Sequence, residues 1–109
     1  MLILIAQFDV YRSANPAIRA RIPYLLDAQS DLLDVLATRV VVPLFKPGLL
    51  KGRLAERLNP LFVVEGREVA MPTPEIAGVP AKALGELIGN LSTQRGAIIG
   101  ALDLVITGI

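Results

Sequence analysis

Asp27, Asp31 and Asp34 lie close together in the chain, and such a group could hold Mg²⁺ through its carboxylates. The same spacing suits turn and capping roles, because a short carboxylate readily accepts hydrogen bonds from nearby backbone amides. Thr38 and Arg39 form a second candidate. An arginine beside a hydroxyl could cut RNA without histidine by stabilising an in-line displacement electrostatically. A strand, however, would place those two side chains on opposite faces. The sequence contains neither histidine nor cysteine. That removes Ser-His-Asp and Cys-His nucleophiles, the imidazole base and nearly all zinc sites. No glycine-rich phosphate loop occurs either. A binding function is therefore better founded than catalysis, and no cofactor or metal is expected.

The elements that would position these residues are short and punctuated by proline and glycine. A first strand is expected over Leu4–Tyr11, where Phe8 and Val10 alternate with Gln7, Asp9 and Tyr11. Ile22–Ala28 reads as a second strand, with a turn at Ser30–Asp31. Thr38–Leu44 has the β-branched content of a central strand, with Pro43 at its end or at a bulge. Leu61–Val64 and Arg67–Met71 flank Glu65-Gly66, a two-residue hairpin link. A last strand is expected near Pro80–Leu84. Ser92 reads as the N-cap of a helix to about Val105. Ile98, Ala101, Leu102 and Val105 form one apolar stripe of that helix, and Ile99 and Ile106 form another around Asp103. Gly96 and Gly100 leave a flat patch for close approach.

The chain has 109 residues, the size of one domain spanning 1–109, and 53% of them are hydrophobic. Its mean hydropathy is +0.58, more than a small interior can absorb. No apolar run approaches the ~20 residues of a spanning helix, and the N-terminal run lacks the positive flank of a signal peptide. The excess is expected in an interface, most simply a homodimer, in the cytoplasm. Net charge is only +1, so direct nucleic-acid readout is not expected. Arg39, Lys46, Lys51, Arg53 and Arg57 nevertheless stand against Glu56 alone, a local excess that could receive an acidic peptide or act as a solvated rim.

Several blocks resemble the CcdB family of toxins. They are Gln7-Phe8-Asp9-Val10-Tyr11, Leu26–Asp34, Thr38–Leu44, Gly78-Val79-Pro80, Asn90–Arg95 and the terminal Gly108-Ile109. The resemblance implies a mainly β (α+β) fold. It would be an SH3-like antiparallel barrel with a small extra sheet and a C-terminal α-helix, assembled as a homodimer. It also implies a toxin of a type II toxin–antitoxin module that binds the A subunit of DNA gyrase and traps its cleaved-DNA complex. Carried over by position, the gyrase surface would use Gln7, Phe8, Tyr11, Ser30, Leu32, Asp103, Ile106, Thr107, Gly108 and Ile109. Thr107 stands where the best-known members carry Trp, and Asp103 where they carry Asn. A CcdA-like antitoxin would bind through Arg39, Lys46, Lys51, Arg53 and Arg57. The alternatives are an mRNA-cleaving toxin on a related barrel and a non-toxic homologue that only binds antitoxin.

Overall fold

A computed structural model of the chain describes residues 6–33, 35–47 and 57–108. Its elements in chain order are β1 (Asp9–Ser13), β2 (Tyr24–Asp27), β3 (Thr38–Leu44), β4 (Leu61–Val64), β5 (Arg67–Ala70), β6 (Ala77–Pro80), β7 (Leu84–Asn90) and α1 (Arg95–Thr107). Five strands form an antiparallel sheet in the order β6-β3-β2-β1-β7, while β4 and β5 form a separate hairpin. Phe45, just beyond β3, bridges to Ala70 of the hairpin. Pro43 falls between the last β3–β6 pair at Val41 and this bridge, where a missing N–H breaks no ladder.

The two edge strands of the large sheet are consecutive in the chain, joined only by Ala81–Ala83. Edges four strand spacings apart in a flat sheet would stand roughly 19 Å from each other. The link can reach only about 14 Å even fully extended, and it is coiled as a short 3₁₀ turn. The sheet therefore has to curl, giving an open SH3-like barrel. This corrects the expectation of one last strand near Pro80–Leu84: that stretch is the turn between two strands. Gly85 permits the curl, since a Cβ there would sit 2.6 Å from the Arg12 carbonyl oxygen. The β1–β7 register also shifts between Val10 and Ser13.

Curling leaves residues buried on both faces of the sheet. On one face Val10, Leu26 and Val42 stand in register and pack with Phe8, Tyr24 and Leu44 against the hairpin (Phe62, Val64, Val69), Met71 and the helix (Ile98, Ala101). On the other lie Asp9, Tyr11, Leu25, Asp27, Arg39 and Val41, also buried. β1 begins at Asp9 rather than earlier, because Phe8 takes a left-handed conformation (φ 72°) that extended chain does not allow. The expected start at Leu4 lies outside the described residues. The Glu65-Gly66 link is as expected, with φ of 53° and 74° at its two positions.

Ser92 does not cap α1. It opens a 3₁₀ turn, Ser92–Gln94, and its amide donates to Asn90 Oδ1 at 2.7 Å. Gly108 closes the helix at φ 75°, its amide donating to the Leu104 carbonyl. No helix among the described residues is long and apolar enough to cross a membrane.

Candidate partner-binding surface

β2 and β3 bring Asp27 and Arg39 together at the centre of the sheet's second buried face. Asp27 Oδ2 accepts from Arg39 Nε at 3.0 Å and from Nη2 at 2.7 Å. Asp27 is fully buried and Arg39 is 1% exposed. Burial pushes the Asp27 carboxyl above its ordinary range, against the opposing pull of Arg39. This corrects the placement of Arg39 on an antitoxin-binding surface: its charge is spent inside the barrel. It also separates the Thr38–Arg39 pair, because Thr38 faces solvent. Asp31 is likewise engaged, accepting the Gln7 amide at 2.7 Å. Asp34 lies outside the described residues, and no cluster able to hold a metal occurs among those described.

The same polar face shapes the adjoining surface. Asp27 Oδ1 accepts the Gln29 amide at 3.0 Å. The buried Gln29 side chain donates to the Leu33 carbonyl at 2.7 Å and accepts the Val40 amide at 3.0 Å. Ser30 Oγ accepts the Leu32 amide, and the Gln7 side chain donates to the Ala28 carbonyl. Gln7, Ser30 and Leu32 are thereby held as one group, with Leu32 90% exposed. Leu33, Val35 and Leu36 extend this apolar surface. Of these, the resemblance names Leu32 alone; Leu33, Val35 and Leu36 are the residues it misses, and their run of large apolar side chains after a turn is the signal that points to them.

Two of the expected contact residues are not surface groups. Phe8 is 3% exposed in the apolar core, with the Arg95 guanidinium 5.6 Å from its ring centroid. Tyr11 is buried and donates its hydroxyl to Asp9 Oδ2; burial and the Asp9 charge push its pKa upward. At the end of α1, Asp103, Ile106, Thr107 and Gly108 are exposed, Ile106 at 74%. The Thr107 hydroxyl turns back to the Asp103 carbonyl at 2.7 Å. Ile109 lies outside the described residues, as do Lys51 and Arg53. Lys46 and Arg57 are exposed.

The family model described as "CcdB protein" matches residues 7–108. The chain belongs to the CcdB family. Solved structures share its fold at low identity. An endoribonuclease from a mycobacterial species superposes with a TM-score of 0.69 at 15% identity, over 97% of this chain and 94% of that one. An endoribonuclease in complex with its cognate antitoxin, also mycobacterial, gives 0.71 at 16% identity over 94% of each chain. At that identity the likeness is one of fold alone.

One feature of this CcdB-family chain was not legible in its sequence. The Tyr24 ring lies 5.9 Å from the guanidinium carbons of both Arg12 and Arg67. Its hydroxyl donates to Glu65 Oε1 at 2.6 Å, and Arg12 pairs with Glu65 at 3.3 Å. The four residues come from β1, β2, the hairpin turn and β5, so their meeting depends on the hairpin docking against the sheet. They fasten it there.

Proposed function

We propose that this chain is the toxin of a type II toxin–antitoxin module, and that it binds the DNA gyrase A subunit and holds the enzyme after DNA cleavage. Membership of the CcdB family supports the toxin role. The observation that carries the choice of a binder over a nuclease is the burial of Arg39 against Asp27. Thr38 and Arg39, the neighbouring hydroxyl and guanidinium that could have served RNA cleavage, are thereby split between solvent and interior. Leu32, Leu33, Val35 and Leu36, together with Ile106 near the end of α1, are exposed apolar side chains, as are Leu61, Val63 and Leu87 on the strands, and they supply contact area of the kind a protein partner covers.

A ligand that prefers one state of a cycling enzyme holds it there by population alone and needs no active site. In this reading Gln7, Ser30 and Leu32 form one part of the gyrase contact and Asp103, Ile106, Thr107, Gly108 and Ile109 the other. Phe8 and Tyr11 support it from beneath. A flexible acidic antitoxin neutralises the toxin through Lys46, Lys51, Arg53 and Arg57. The toxin works as a cytoplasmic homodimer. The test is incubation with gyrase, supercoiled plasmid and ATP, scoring linear DNA released on denaturation. A second incubation with labelled RNA addresses the nuclease alternative, to which the fold likeness lends its support. Antitoxin binding with neither activity would point to the non-toxic homologue.

A further inference from the structure

Gly96 and Gly100 stand one helical turn apart on α1. Apart from the helix's own backbone, no described atom lies within 4 Å of where a Cβ would sit on either. Glycine inside a helix is less favourable than alanine, and packing among the described residues gives no reason for it here. The two glycines line a groove of about 310 Å³ with Ala97, Ala101, Pro60 and Arg57. That volume is at the small end for ligand cavities, roughly 300–1,000 Å³, and suits a side chain or two rather than a cofactor. Its floor is methyl groups and bare helix backbone. Arg57 is exposed and has no ion-pair partner among the described residues.

We propose that this groove receives an apolar side chain of the antitoxin, from a segment whose neighbouring carboxylates pair with Arg57. The proposal rests on the antitoxin reading above and adds the place and the side-chain chemistry. Charge complementarity selects the occupant: an apolar floor beneath an exposed guanidinium matches an aliphatic residue set among Asp or Glu. Without Cβ atoms on Gly96 and Gly100, the incoming side chain can lie against the helix backbone.

The test compares the wild-type chain with Gly100→Leu and Arg57→Glu. The product of the small open reading frame adjoining this gene, expressed in full as the candidate antitoxin, serves as one probe. The others are two labelled peptides, one carrying a single leucine in a run of glutamates and its twin with serine in place of the leucine. A Cβ at Gly100 meets no described atom within 4 Å, and leucine is a better helix former than glycine, so Gly100→Leu should not lower the melting temperature; with the melting temperature held, lost binding cannot be ascribed to misfolding. The leucine peptide should bind wild type about tenfold or more tighter than the serine twin. Gly100→Leu should erase that preference, and Arg57→Glu should weaken both peptides. Equal affinity of the twins for wild type overturns the proposal. Tight antitoxin binding left unchanged by Gly100→Leu also overturns it, while leaving the antitoxin reading standing. If neither protein captures antitoxin, that reading falls and takes the groove assignment with it. A Gly100→Leu protein that changes from dimer to monomer by light scattering gives the groove to a second copy instead.

Discussion

Arg39 reaches Asp27 across the β2–β3 ladder with Nη2 2.7 Å from Oδ2, both side chains closed off from solvent. Arg39 Nη1 is buried with no hydrogen-bond partner among the described residues. Removing one member of such a pair strands the other. Arg39→Met should cost about 3–5 kcal/mol, a large share of the ~5–15 kcal/mol that holds a small domain together. Burial already raises the Asp27 pKa above 3.8, and losing Arg39 raises it further. A carboxyl held above its unfolded value stabilises most when protonated, and that contribution is lost as pH rises through the window above 3.8. The Arg39→Met deficit should thus be largest at neutral pH and shrink toward pH 3.8. Urea titrations across pH measure this; a deficit independent of pH contradicts it.

Gly85→Ala places a methyl 2.6 Å from the Arg12 carbonyl oxygen, on backbone that cannot swing aside. The expected loss is about 1–3 kcal/mol, read as a lower denaturation midpoint. Gly89→Ala in the same strand meets nothing within 4 Å and serves as the control.

Glu65 is held below its ordinary value of 4.5, first by the Tyr24 hydroxyl and then by Arg12. A depressed carboxylate contributes stability that is present above the unfolded value and lost as pH falls through the folded one. The stability difference between wild type and Glu65→Gln should therefore be present at neutral pH and fade below pH 4.5. Paired thermal melts at the two ends of that range check it.

Leu32→Ala and Ile106→Ala remove exposed side chains and should leave stability within roughly 0.5 kcal/mol. Each should weaken gyrase binding, by up to ~2 kcal/mol if it is a central contact. Thr107→Trp should strengthen gyrase binding, because the aromatic ring restores a contact that threonine cannot make. Titration against the purified gyrase A subunit measures all three.

Arg57→Glu should slow antitoxin association and flatten its salt dependence, since an exposed cation acts mainly on encounter. Stopped-flow rates from 50 to 300 mM salt, roughly a 2.4-fold range in screening length, would show it; identical rates for variant and wild type would remove Arg57 from the interface.

Local chemistry was legible wherever it was sufficient to set the structure. Glu65-Gly66 specified its turn, and Thr38–Leu44 specified its strand to the residue. What depended on closure was not. The split of residues 77–90 into two strands follows from the curl of the whole sheet, and Gly85 looks like a breaker until Arg12 is seen behind it. The same cause hid the fate of Arg39. A period-2 strand implies one wet face, but a curled sheet buries both, and a cation read as surface charge became a core residue. Tyr11 moved inward in the same way, whereas Phe8 lies in the main apolar core beside Val10. Leu32 and Ile106, placed on the contact surface by the family resemblance alone, are exposed at 90% and 74%.

The most direct test of the central claim, that this chain acts by binding rather than by cutting, is the plasmid assay with purified gyrase and ATP. Linear DNA trapped on denaturation, and lost when Gly108 and Ile109 are deleted, is the predicted result. No trapped DNA and no loss of supercoiling activity, together with cleavage of labelled RNA by the same preparation, would contradict it.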